Sequence, residues 1–148
     1  MNRIRVTHLA NHRYQVTIGR HSISVDQPQS AGGDDDGPTA VELFASSLVA
    51  CCAHYAGSYL ARHGLPAEGL TVEGEFTMAA DAPARVAEMS VSITPPAGLT
   101  DRRAAALLAV TSHCTVHNTL RQAPTVSIGL ALPATTADED PSRPRRAA

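Results

Sequence analysis

Three cysteines carry most of the chemistry available to this sequence. Cys51 and Cys52 stand side by side in SSLVACCAHYAGSYL (46–60), and Cys114 stands in SHCTVHNTL (112–120) with His113 and His117 beside it. Thiols pack as small hydrophobes, ligate soft metals, or react as thiolates that attack electrophiles and form disulfides. The metal reading fails on spacing: adjacent cysteines on a helix cannot easily aim at one ion, and no C-x2-C pair is matched with an H-x3–5-H pair. Other chemistries have no motif. There is no G-x-S-x-G elbow for a serine nucleophile, and neither G-x-G-x-x-G nor G-x-x-x-x-G-K-[ST] for a nucleotide.

Helical phase separates the adjacent cysteines. At 100° per residue the face around Cys51 gathers Phe44, Ser47, Leu48, His54, Tyr55 and Ser58, a mixed surface. The face around Cys52 gathers Val41, Ala45, Leu48, Val49, Ala56 and Tyr59, which is apolar almost throughout. Cys52 therefore reads as a core hydrophobe and Cys51 as the candidate for chemistry, with an inert role for Cys51 left open. Cys114 opens a short helix, where the positive end of the dipole favours a thiolate. A half-buried junction residue is the alternative there.

The elements that must position these thiols follow from patterning. Residues 3–9, 13–18 and 21–26 alternate polar and apolar with β-branched side chains, so they read as a three-stranded antiparallel meander with short turns. QPQSAGGDDDGP (27–38) reads as a solvated loop with a mobile tip. Thr39 and Glu42 form a capping-box pattern that starts a helix over residues 39–63, and Gly64 stops it. That helix is about 25 residues and close to 37 Å long, so it crosses the middle of the fold. Strands follow at 70–79 and 85–94, then a helix capped by Thr100, a second short helix from Cys114 to Gln122, and a last strand at 125–132. The order βββ-α-ββ-αα-β is that of an α+β domain over residues 1–132. The tail 133–148 is too rich in proline, charge and small residues to bury anything and is expected to be disordered.

Composition narrows the function classes. In 148 residues, 43% hydrophobic and 18% charged content belongs to a folded chain, and a net charge of −2 with no basic cluster except in the last few positions leaves no footprint for nucleic acid. The opening MNRIRVTHLANHR has no apolar leader, and no run approaches the roughly 20 apolar residues of a membrane span, so a cytoplasmic protein without membrane contact is expected. An odd number of cysteines fits reduced thiols better than a disulfide framework.

With these elements in order, GPTAVELFASSLVACCA (37–53) and HCTVHNTL (113–120) resemble the G-P-T-P-x-E-L-L-x-x-x-L-x-x-C helix and the C-P-x-x-x-T-L motif of the osmotically inducible protein C and organic hydroperoxide resistance (OsmC/Ohr) family. The resemblance covers about residues 3–132. It implies an OsmC-like fold with a long central helix, an intertwined homodimer, and an active site at the subunit interface. It further implies a thiol-dependent peroxidase for organic hydroperoxides, restored by a dithiol reductant and needing no haem, flavin or metal. On the matching positions Cys51 is the peroxidatic thiol, Cys114 the resolving thiol and Arg20 the thiolate stabiliser, with Arg13 as the fallback. Glu42 lies nine residues before Cys51, on the opposite side of the helix, so its capping role suffices for it. Thr115 replaces the proline of the second motif, which places the chain in the broader OsmC-like branch. His54 and His117 read as polar residues at the pocket edge rather than as acids or bases. The competing readings are a non-catalytic redox sensor or small-hydrophobe-binding dimer, and a structural dimer with incidental thiols.

Overall fold

The computed structural model describes residues 3–132. The chain begins as expected, with β1 (Ile4–Ala10), β2 (Arg13–Ile18) and β3 (His21–Val25) in one antiparallel sheet of order β1-β2-β3. Register sets Ile4 opposite Ile18, Val6 opposite Val16, and Val16 opposite Ile23. Side chains alternate across a strand, so these residues share one face. Much of that apolar face is uncovered: Ile4, Val6, Ile18 and Ile23 are all exposed.

The loop that follows is organised around one residue that patterning does not single out. Asp26 is fully buried. Its Oδ1 accepts from the Gln27 N–H at 2.8 Å, and its Oδ2 accepts from the Asp34 and Asp36 N–H groups at 3.0 and 3.2 Å. Arg13 pairs with Asp36, and the Asn11 amide donates to Asp34, so the acidic tip is tied back to the β1–β2 turn. A Cβ at Gly33 would collide with the Gln27 carbonyl, which is why the chain can close this tightly only on glycine. The exposed tip is thus wound on a buried carboxylate.

Helix α1 (Ala40–Arg62) starts on the capping box: the Glu42 N–H donates to Thr39 Oγ1 at 3.2 Å, and the Thr39 N–H donates to Glu42 Oε2 at 2.7 Å. Beyond it lies Gly64, at φ 63°. By length and composition α1 is apolar enough to cross a membrane, which the sequence reading did not allow for. Here it is the central packing element. Ala45, Leu48, Cys52, Ala56, Tyr59 and Leu60 form its buried stripe, laid on β4 (Thr71–Met78) and β5 (Val86–Thr94) and on α2 (Asp101–Thr111) and α3 (Thr115–Arg121). The β4–β5 hairpin is a separate antiparallel pair. Thr100 precedes α2 with extended backbone, but its hydroxyl makes no capping bond.

The strand expected at 125–132 does not form. Val126, Ile128, Leu130 and Leu132 keep the period-2 pattern yet are 74%, 95%, 86% and 77% exposed. A strand exists only when a neighbour completes its ladder, and the described sheets contain only β1–β3 and β4–β5. The tail expected to be disordered, 133–148, lies outside the described residues.

Candidate active site

Two elements converge on the thiols. The buried stripe of α1 carries Cys52 inward, and Cys114, at the N-cap of α3, meets it across the core with the two sulfurs 3.8 Å apart. Cys52 is 6% exposed and Cys114 is fully buried, and with Leu48 they form one cluster of the core. The expected partner of Cys114 was Cys51; the sulfur that the structure sets against it is that of Cys52. Cys51 is half-buried and packs at the rim of the cluster, one helical position round from the contact. The reason is phase: α3 begins inside the apolar core, so the cysteine on the apolar stripe is the one that reaches it.

Hydrogen bonds hold this junction. The His117 N–H donates to Cys114 Sγ at 3.4 Å, Tyr55 and Thr115 join their hydroxyls at 2.9 Å between α1 and α3, and His117 Nδ1 bonds to the Ser112 carbonyl at 2.6 Å. Beside the pair lies a cavity of about 280 Å³, with Leu48, Val91, Ile93 and Leu120 among its apolar walls and Cys52 and His117 on its lining. Cys114 is not on that lining. Cys52 thus stands between the cavity lining and the Cys114 sulfur 3.8 Å from its own.

Burial, then the hydrogen bond to Cys114, then the nearby Cys114 and Cys51 thiols push Cys52 up to about 12. At neutral pH this sulfur is a protonated thiol, and any attack by it requires that its proton go elsewhere.

The other expected residues sit apart. Arg20 is exposed in the β2–β3 turn, makes no hydrogen bond or ion pair among the described residues, and does not line the cavity. Arg13 is engaged by Asp36. Glu42 belongs to the helix cap, where the Thr39 N–H and hydroxyl hold its carboxyl below the usual range. Among the described residues no group of three or more His, Cys, Asp or Glu side chains is placed to hold a metal ion. Sequence reasoning passed over Cys52 although its apolar stripe was visible; the missing signal was where α3 would dock.

The family model described as OsmC-like protein matches residues 33–129. No curated protein sequence matches the chain. Among solved structures, a protein of Psychrobacter arcticus described as an osmotic stress induced and detoxification response protein is 25% identical, with a TM-score of 0.72 over 78% of this chain and 85% of that one. An organic hydroperoxide resistance protein OsmC from Legionella pneumophila is 18% identical, with a TM-score of 0.63 over 82% and 89%. An organic hydroperoxide resistance protein from Elizabethkingia anophelis is 21% identical, with a TM-score of 0.62 over 80% and 88%.

Proposed function

The chain belongs to the OsmC family, and from that premise we propose that it is a thiol-dependent peroxidase of organic hydroperoxides, in which Cys52 attacks and Cys114 resolves. The observation that carries the reading is the buried 3.8 Å contact between these sulfurs, opened on one side by an apolar cavity. The substrate class comes from the names of the Legionella and Elizabethkingia proteins and suits the cavity walls. The Cys52 sulfur takes the distal oxygen of the hydroperoxide and becomes a sulfenic acid, and the alkoxyl half leaves as an alcohol. The Cys114 thiol then displaces water from that sulfenic acid and closes a disulfide, which an external dithiol reduces.

The working form is a homodimer. An uncovered apolar face on the β1–β3 sheet and an unpaired, alternating segment at 126–132 are what a second copy of the chain would cover and pair. Arg20 contributes to a thiolate in this reading only from the partner subunit. A reducing compartment such as the cytoplasm suits the free thiols.

The test is consumption of cumene hydroperoxide with dithiothreitol as reductant. Cys52→Ser is expected to abolish it, and a variant that turns over at the wild-type rate overturns the assignment. The raised Cys52 thiol favours a second reading, a redox sensor or ligand-binding dimer without turnover. That reading is distinguished by a single oxidation of Cys52 and Cys114 with no steady-state consumption.

A further inference from the structure

Helix α3 is seven residues long and none of them is fully buried, yet it carries Cys114 at its N-cap. Something must keep so short a helix seated on α1. Among the described residues two side-chain pairs join α1 to α3 by polar contact: the Cys52 and Cys114 sulfurs, and the Tyr55 and Thr115 hydroxyls at 2.9 Å. The pairs run side by side. Cys52 and Tyr55 are three residues apart on α1 and so are neighbours on its surface, while Cys114 and Thr115 are consecutive. The Tyr55 ring packs against the cluster that contains both sulfurs, and its hydroxyl reaches the exposed Thr115. Val116 packs on the same cluster, but apolar contact is non-directional and fixes no register. A hydrogen bond is directional and does.

We propose that Tyr55 and Thr115 are positioning residues of the resolving step, their hydroxyl bond holding the N-terminus of α3 so that the Cys114 sulfur stays within closing reach of Cys52. The proposal rests on the hydroperoxide reading for the identity of that step. In it an electron pair of the Cys114 sulfur forms the S–S bond and the S–O bond of the Cys52 sulfenic acid breaks. The oxygen leaves as water, taking up the Cys114 proton. Neither hydroxyl takes part in that exchange; both act through the place of Cys114. Their bond lies beside the sulfur pair rather than between the sulfurs, and it is kept when the disulfide closes. By linkage, the bond favours the disulfide as much as the disulfide favours the bond. Without it, closure must also order a loose end of α3, at a cost in entropy.

The experiment equilibrates the full chain in mixtures of glutathione and glutathione disulfide and measures the Cys52–Cys114 bond by non-reducing peptide mass. Glutathione disulfide is the oxidant, and each bond formed in the protein releases two glutathione molecules. Tyr55→Phe keeps the ring and Thr115→Val keeps the shape, so each removes the hydroxyl bond alone. Each is expected to lower the equilibrium constant for the disulfide by about three- to tenfold, the usual scale of one hydrogen bond, tenfold being about 30 mV for this two-electron couple. The double variant is expected to fall no further than either single one, because both remove the same bond. Thr115→Ser retains a hydroxyl and is expected to keep the wild-type constant. Thr119→Val loses a hydroxyl bonded at 2.9 Å to the Thr115 carbonyl within α3, and is expected to leave the constant unchanged. A merely structural hydroxyl lowers the melting temperature of reduced and oxidised chains alike and does not move this constant.

Tyr55→Phe at the wild-type constant or above it overturns the proposal. So do losses that add in the double variant, Thr115→Ser as weak as Thr115→Val, and a wild-type chain that forms no Cys52–Cys114 bond at any glutathione ratio. One equivalent of cumene hydroperoxide separates the proposal from the peroxidase reading. If it leaves Cys52 unoxidised while the glutathione constants fall as expected, the peroxidase reading fails and the positioning of Cys114 stands. If wild type turns over hydroperoxide and Tyr55→Phe keeps the wild-type constant, the peroxidase reading stands and the positioning role is overturned.

Discussion

Serine at position 51 and serine at position 52 should have opposite consequences for oxidation, although the two residues are neighbours. The Cys52 and Cys114 sulfurs lie 3.8 Å apart, and closing a bond moves them to about 2.05 Å. The residues are 62 apart in sequence. In the chain-entropy account, closing a loop of that length removes about 14 cal/mol/K from the unfolded ensemble, or about 4 kcal/mol at 25 °C, less whatever strain the closure introduces. For a domain of this size each kcal/mol moves the melting temperature by about 4 °C, so the oxidised protein should melt up to about 15 °C higher than the reduced one. The assay is one equivalent of cumene hydroperoxide, intact mass under non-reducing conditions, peptide mapping, and a thermal melt at fixed protein concentration. Wild type and Cys51→Ser should both lose two hydrogens and gain thermal stability. Cys52→Ser should do neither. A mapped Cys51–Cys114 bond, or loss of the effect in Cys51→Ser, refutes the argument from helical phase and docking.

Burial works to raise the pKa of Asp26, but the N–H groups of Gln27, Asp36 and Asp34 and the charge of Arg13 outweigh it and hold the carboxyl below its ordinary range. Its unfolded value is about 3.9, so the stability it contributes is complete above that and disappears as pH falls through the lower folded value. Urea midpoints measured against pH should therefore fall in acid for wild type and lose part of that slope in Asp26→Asn, which is weaker at neutral pH; an unchanged slope counts against the role. Gly74 lets α1 lie on β4: an added Cβ would run into Val49 Cγ2. Gly74→Ala should cost about 1–3 kcal/mol by denaturant unfolding, the usual scale of overpacking, and no loss means that the helix moves away freely. Sedimentation should give a dimer for wild type and a shift toward monomer for Ile128→Asp, whose side chain is 95% exposed in the single chain; a wild-type monomer at micromolar concentration removes the proposed interface.

Local pattern made most of the fold legible. Period-2 alternation located β1 to β5 to within a residue or two, and Thr39, Glu42 and Gly64 marked both ends of α1, because caps and strand faces depend on neighbours a few positions away. The same alternation at 126–132 predicted a strand that the single chain does not make, since a ladder needs a partner and sequence pattern names none. Loop 27–38 is exposed at its tip, as its composition reads, but its hydrogen bonding was not legible there. Its composition reads as solvated, while its order comes from a single buried carboxylate outside the run of aspartates.

What the sequence determined by itself was the inventory: three thiols, the helix that carries two of them, the apolar stripe containing Cys52, and the short helix that Cys114 opens. Only the tertiary structure decided which thiol faces which. Helical phase orients a side chain relative to its own axis, but a contact between residues 62 apart depends on where α3 docks. That docking follows from the packing of α1, β4, β5 and α2 around the same core, a property of the whole chain that no local window contains.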